Sequence, residues 1–193
     1  MLPLIRKIAT LNNHAMKLAY FTKAAVFGLA CTMISTLLSA QEDKSSRPSP
    51  PATATGKIGS ATITIDYSSP SVKGRKIFGG LQPYGTVWRA GANEATQFQT
   101  DKDIKVEGKS LPAGKYTLFA TPGETEWTLF FNSETGQWGD KKNGEANMDP
   151  AKNVLTVKVK PVKTSMNEKL VYVVTGNAFV LRWDNLEVPV GIR

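Results

Sequence analysis

The chain has 193 residues, with 24 basic against 16 acidic side chains, one cysteine and one histidine. Both Cys31 and His14 fall ahead of residue 41, so the region beyond them has no disulfide framework, no cysteine nucleophile, no Ser-His-Asp triad and no zinc or iron site built on His or Cys. Cofactors are accordingly expected to be none, metals included.

Residues 1–40 read as a signal peptide region. Lys17 and Lys23 flank the start of an uncharged apolar run at 24–38, and the small pair Ser39-Ala40 is followed by polar Gln41-Glu42-Asp43, the order of a secretory signal. The run is shorter than the ~20 residues that span a bilayer. Leu38, three residues before the cut, is bulkier than usual for that place. Met16-Lys17-Leu18 opens an ordinary signal, so the natural start is expected at Met16, with the preceding 15 residues an artefact of the assigned start. The mature protein is expected to be periplasmic or secreted. A membrane would be met only through an uncleaved signal or a lipid on Cys31, which Gly28-Leu29-Ala30 precede.

Removing residues 1–40 takes away Arg6, Lys7, Lys17 and Lys23 and no acid, which lowers the net charge from +8 to +4. That is a solubility statement and not the footprint of a nucleic-acid binder. No cluster of Lys and Arg with interleaved aromatics appears, so nucleic acid is not expected as a partner.

Residues 41–55, rich in Pro and Ser and without a large apolar side chain, read as an extended linker. The folded domain is expected over 56–193, long enough to bury a core without disulfides. Ile63 and Ile65 alternate with Thr62, Thr64 and Asp66, a half-buried strand, behind a tight turn at Gly59-Ser60. Residues 68–80 leave regular structure and carry the basic loop Lys73, Arg75 and Lys76. Short strands are expected at 86–89, 95–100 and 104–106. Strands at 115–120 and 127–131 carry large apolar residues on both faces, which puts them at the centre of a sheet, and Trp127, Leu129 and Phe131 should share a buried face with Leu118. In the polar stretch 132–153, Trp138 stands alone and is expected to plug the core edge, with ligand stacking the lesser alternative.

The C-terminal third returns to strands: 155–160, then 170–175 and 178–183 around Gly176-Asn177, a turn at Asp184-Asn185, and a last strand at 187–192 that Pro189 marks as an edge. About nine short strands and no 3.6-residue apolar period predict a single all-β domain, an antiparallel β-sandwich or jelly-roll-like fold.

Three stretches carry a resemblance. Tyr67-Ser68-Ser69-Pro70 with Lys73-Gly74-Arg75, then Val87-Trp88-Arg89-Ala90-Gly91-Ala92-Asn93-Glu94-Ala95-Thr96, then Leu111-Pro112-Ala113-Gly114-Lys115-Tyr116-Thr117-Leu118-Phe119 resemble the domain of unknown function 2911 family, as do Glu126-Trp127 and Gln137-Trp138-Gly139. The resemblance runs from about Ala52 to Ile192 and departs from the family's regular run at 140–148. It implies a secreted or periplasmic bacterial domain, and it brings no catalytic residues with it.

The chemistry concentrates at Trp88, Arg89, Asn93 and Glu94, with Arg75 a further candidate. An aromatic face beside planar polar groups suits a glycan or other small polar ligand. Two other readings stand beside it. In one, Arg89 and Glu94 pair across Gly91 as scaffold, in a structural or protein-interaction module of the cell envelope. In the other, a carboxylate-based hydrolase uses Glu94 with Asp66 or Glu126. Asp140, Glu145 and Asp149 lack the spacing of a calcium loop.

Overall fold

The computed structural model describes residues 43–193. The signal region, the start at Met16, His14 and Cys31 lie outside the described residues.

From Lys44 to Arg193 the chain forms one compact unit of ten strands and two single-turn 3-10 helices. The strands are β1 (Pro51–Ile58), β2 (Ala61–Ser68), β3 (Gln97–Thr100), β4 (Ile104–Val106), β5 (Lys109–Leu111), β6 (Gly114–Thr121), β7 (Trp127–Asn132), β8 (Asn153–Val159), β9 (Val162–Val174) and β10 (Ala178–Gly191). Six of them make one antiparallel sheet in the order β1-β2-β3-β6-β7-β8. The β9–β10 hairpin forms the facing layer, and the β4–β5 hairpin joins its end, where Val106 bridges Ile192.

The expected class, an antiparallel β-sandwich, is what forms. Alternation decides which face is inside. Ile63 and Ile65 of β2, Phe98 of β3, Leu118 of β6 and Leu129 and Phe131 of β7 point inward, to meet Leu170, Tyr172, Phe179, Leu181 and Trp183 in one core. Leu118 lies opposite Phe131 and Ala120 opposite Leu129, so the apolar face of β6 and β7 is the expected one.

The outward face bears a polar row that crosses all six strands in register: Thr53, Asp66, Gln97, Thr117, Asn132 and Asn153. Thr117 and Asn132 in this row are buried by residues 133–152, which fold back over the sheet. The Thr117 hydroxyl donates to the Glu134 carbonyl at 2.6 Å, and the Asn132 amide donates to the Asp149 carbonyl at 2.8 Å. Phe119, outward on β6, is fully buried as well. This accounts for large apolar residues on both faces of β6.

Some expectations are corrected. Residues 51–55 are not linker, because β1 starts at Pro51 and pairs with β2 along its whole length. Residues 86–89 contribute only a bridge from Trp88 to Ala120. Asp184 does not turn the chain; it sits at φ 55° in a bulge where the register with β9 shifts, and β10 runs straight through. Pro189, which has no N–H to donate, lies past Glu187, the last partner of β9.

The margins of the large sheet are covered. Gly56 of β1 lets β9 approach so closely that a Cβ there would meet Val174 at 2.8 Å. On β8 the Lys109 ammonium donates to the Thr156 carbonyl at 3.0 Å.

Candidate functional site

The segment 88–96 is an irregular turn stitched to the core by its own first half. Trp88 is only 3% exposed and stacks on Trp183 at 5.8 Å, and its indole N–H donates to the Gly91 carbonyl at 3.0 Å. Trp88 is therefore a core residue and not a stacking face for a ligand, which corrects the expectation for it. Ala90 sits at φ 53°, a region that alanine seldom adopts, and its carbonyl accepts from the buried Tyr172 hydroxyl at 2.8 Å and from Thr96 at 3.0 Å. Burial pushes the Tyr172 hydroxyl well above its ordinary pKa, and charge repulsion from the neighbouring Tyr67 phenol adds to the effect. These residues, with the buried Ala92 and Ala95, shape the loop and leave Arg89, Asn93 and Glu94 half-buried at its surface.

Arg89 and Glu94 do not meet, so the scaffold pair expected between them is absent. Arg89 donates to the Asp140 carboxylate from the covering loop. The approach depends on Gly139, where a Cβ would meet the Asn93 carbonyl at 2.8 Å and crowd the Arg89 side chain. Asn93, at φ 57°, donates its side-chain amide to the Ser49 carbonyl at 2.9 Å. Arg75 turns back on its own loop, donating to Val72 and Ser71 carbonyls at 3.0 and 2.6 Å, and its partners lie away from this motif.

Glu94 is the outward centre. Lys44 reaches it at 2.8 Å, and one Arg47 nitrogen contacts both carboxylate oxygens at 3.1 and 3.2 Å. Burial alone would raise the pKa of Glu94. The hydrogen bonds from Lys44, from its own backbone N–H and from Arg47 outweigh that effect and hold it at about 2.

Trp138 stands opposite Glu94. The two form an antiparallel bridge in which Ala95 N–H donates to the Gln137 carbonyl at 3.2 Å and Gly139 N–H to the Asn93 carbonyl at 3.0 Å. Those flanking bonds make Glu94 and Trp138 a non-hydrogen-bonded pair, the closer kind, with both side chains on the same face. Trp138 is 51% exposed, so it does not plug the core edge as expected. The exposed aromatic of the site is Trp138.

Beside the pair lies an open groove of about 200 Å³ lined by Lys44, Asp66, Tyr67, Glu94 and Gln97 among others. Asp66 accepts from the Thr53 hydroxyl at 2.7 Å. Of the two carboxylates considered as partners of Glu94, Asp66 shares its groove. Glu126 instead pairs with Lys158 at 2.6 Å and lines a different groove, between β8 and the end of β10. A general acid needs a raised pKa to hold its proton at working pH, and Glu94 is shifted the other way. The site is suited to holding charge and hydrogen bonds.

Sequence reasoning missed Lys44, Arg47, Gln97 and Asp140. Gln97 was recoverable, because it alternates with Phe98 on a strand. The others arrive from distant segments.

Neither a curated protein nor a solved structure matches the chain. A family model does match, over residues 49–192, which hold the motif, the groove floor and every strand. That match spans most of the sequence, and the chain belongs to the family described as Protein of unknown function (DUF2911).

Proposed function

We propose that this protein is an extracytoplasmic, non-catalytic β-sandwich that binds a small polar ligand, a glycan first of all, at the Glu94 groove, with the neighbouring Trp138 ring beside it. The observation that carries the reading is the exposed Trp138 ring beside Glu94, next to a groove that also holds Gln97 and Asp66. An aromatic face with planar hydrogen-bonding groups at its edge is how proteins hold sugar rings. The extracytoplasmic placement rests on the signal-like order of residues 1–40.

The test is a glycan array probed with the purified protein and with Trp138→Ala. Retention of a glycan by the unaltered protein, lost in the variant, supports the reading. No retained glycan, or retention indifferent to Trp138, sinks it. A structural module of the envelope is the second reading. What favours it is the number of motif residues, among them Trp88, Ala90 and Thr96, that are buried in the scaffold.

A further inference from the structure

We infer that the Glu94 groove is a receptor for organic cations, and that residues 44–49 of the same chain are a latch holding its Glu94 carboxylate. The inference rests on reading the groove as a binding site and names the charged ligand it takes.

The latch is built from a short pattern, Lys44-Ser45-Ser46-Arg47. Residues Lys44–Ser46 form a 3-10 turn, closed by Arg47 N–H donating to the Lys44 carbonyl at 3.3 Å. With three residues per turn, side chains at i and i+3 lie over one another. The turn thereby brings an ammonium and a guanidinium to one side, where one anion can hold both. Glu94 is that anion, contacted at 2.8 Å by Lys44 and at 3.1 Å by Arg47. Two further bonds fix the strap behind the cations: Asn93 holds the Ser49 carbonyl at 2.9 Å, and Ser69 N–H holds the Pro50 carbonyl at 2.9 Å.

The receptor has the parts that recognise a cationic head. Glu94 supplies full negative charge, Asp66 lines the same groove, and Trp138 faces Glu94 with an exposed ring that can take a cation over its π-surface. The family match begins at residue 49, so Glu94, Asp66 and Trp138 lie inside it and both latch cations lie ahead of it. The Lys44 side chain keeps 48% of its exposure and Glu94 35%. The Lys44 pair, open to water, is weak and exchanges readily, whereas Arg47 is only 16% exposed, so a competing cation displaces Lys44 first and opens the latch when it also replaces Arg47. A neutral glycan, with no charge to compete for Glu94, would leave the latch closed.

The experiment uses the full chain, its K44A/R47A variant, and a capped synthetic peptide of sequence Lys-Ser-Ser-Arg-Pro-Ser, titrated at low ionic strength and followed by tryptophan fluorescence. K44A/R47A is expected to bind the peptide about tenfold more tightly than the unaltered chain, a gain equal to ~1.4 kcal/mol. Adding E94Q is expected to abolish that gain. Equal binding by the unaltered chain and K44A/R47A overturns the inference, and so does a gain that survives E94Q. Should the variants fail to fold, amide exchange across residues 44–49 of the unaltered chain decides it. Exchange that rises with added spermine supports the latch, and exchange indifferent to spermine overturns it. Loss of glycan binding with peptide binding intact would sink only the glycan reading. The reverse pattern would sink only this one.

Discussion

Arg89 pairs with Asp140, fifty-one residues further on, and not with Glu94 in its own turn. Both side chains are partly buried, 21% and 30% exposed, so the pair lies between a surface bridge worth little and a buried one whose breaking costs several kcal/mol. Arg89→Ala and Asp140→Ala should each destabilise by about 1–3 kcal/mol. The double variant should cost less than the two singles summed, as coupled partners do. Arg89→Ala with Glu94→Ala should instead be additive. Urea denaturation of the singles and both doubles reads this directly, and additivity for Arg89 with Asp140 would mean the pair is not a working contact.

Glu94 ties the latch to pH. Its folded pKa of about 2 lies below the ordinary 4.5. A depressed carboxylate contributes stability that is fully present above the ordinary value and is lost as pH falls through the folded one. The groups facing it are Lys44 and Arg47, and Asp66 across the groove. Amide protection of residues 44–49 should therefore be constant above pH 4.5 and decline toward pH 2. In Glu94→Gln it should be low and flat over the same window. Lys44 is open to water but Arg47 is only 16% exposed, so the loss should show first in the protection of residues 44–49 and only secondarily in global unfolding. A transition centred near neutral pH would contradict this.

Leu129 tests the core. It is 4% exposed and lies across from Ala120. Leu129→Ala should cost about 2–5 kcal/mol, the penalty for emptying a large aliphatic site. Thermal or chemical unfolding that shows less than about 1 kcal/mol would place it outside the core.

Processing is checked by mass. The small residues Ser39-Ala40 before Gln41 lead to an expected mature N-terminus at or close to Gln41. Intact-mass analysis of protein from the envelope fraction should show that terminus. A diacylglyceride increment on Cys31 would show a lipid anchor instead, and a species retaining Leu18 would contradict cleavage.

The strands of the large sheet were legible wherever side chains alternate by size, as in Ile63 and Ile65 or Leu129 and Phe131. Strand β1 was missed for a physical reason. Ala52 and Ala54 alternate with Thr53 and Thr55, so the period of two is present, but alanine is too small to register as a buried face and the prolines beside it suggested a linker. The two tryptophans changed places for a related reason. A tryptophan among polar neighbours does not reveal whether it turns in, as Trp88 does, or out, as Trp138 does. Only the small buried partners Ala90 and Ala92 hinted that the turn around Trp88 was packed. The partners of Glu94 and Arg89 come from residues 44–47 and from Asp140, and nothing local in a sequence pairs charges over such separations.

The bond from Lys109 to the Thr156 carbonyl has a consequence for how the molecule behaves when crowded. An exposed sheet margin is a template on which another chain can add a strand, the first step of fibril growth. On β8 a carbonyl that such a strand would need is already taken, and Lys158 adds charge nearby. At the opposite margin, β9 lies against Gly56 of β1. Lys109→Ala would uncover the acceptor and leave the fold intact, and its effect would be read as faster thioflavin-positive aggregation at high concentration.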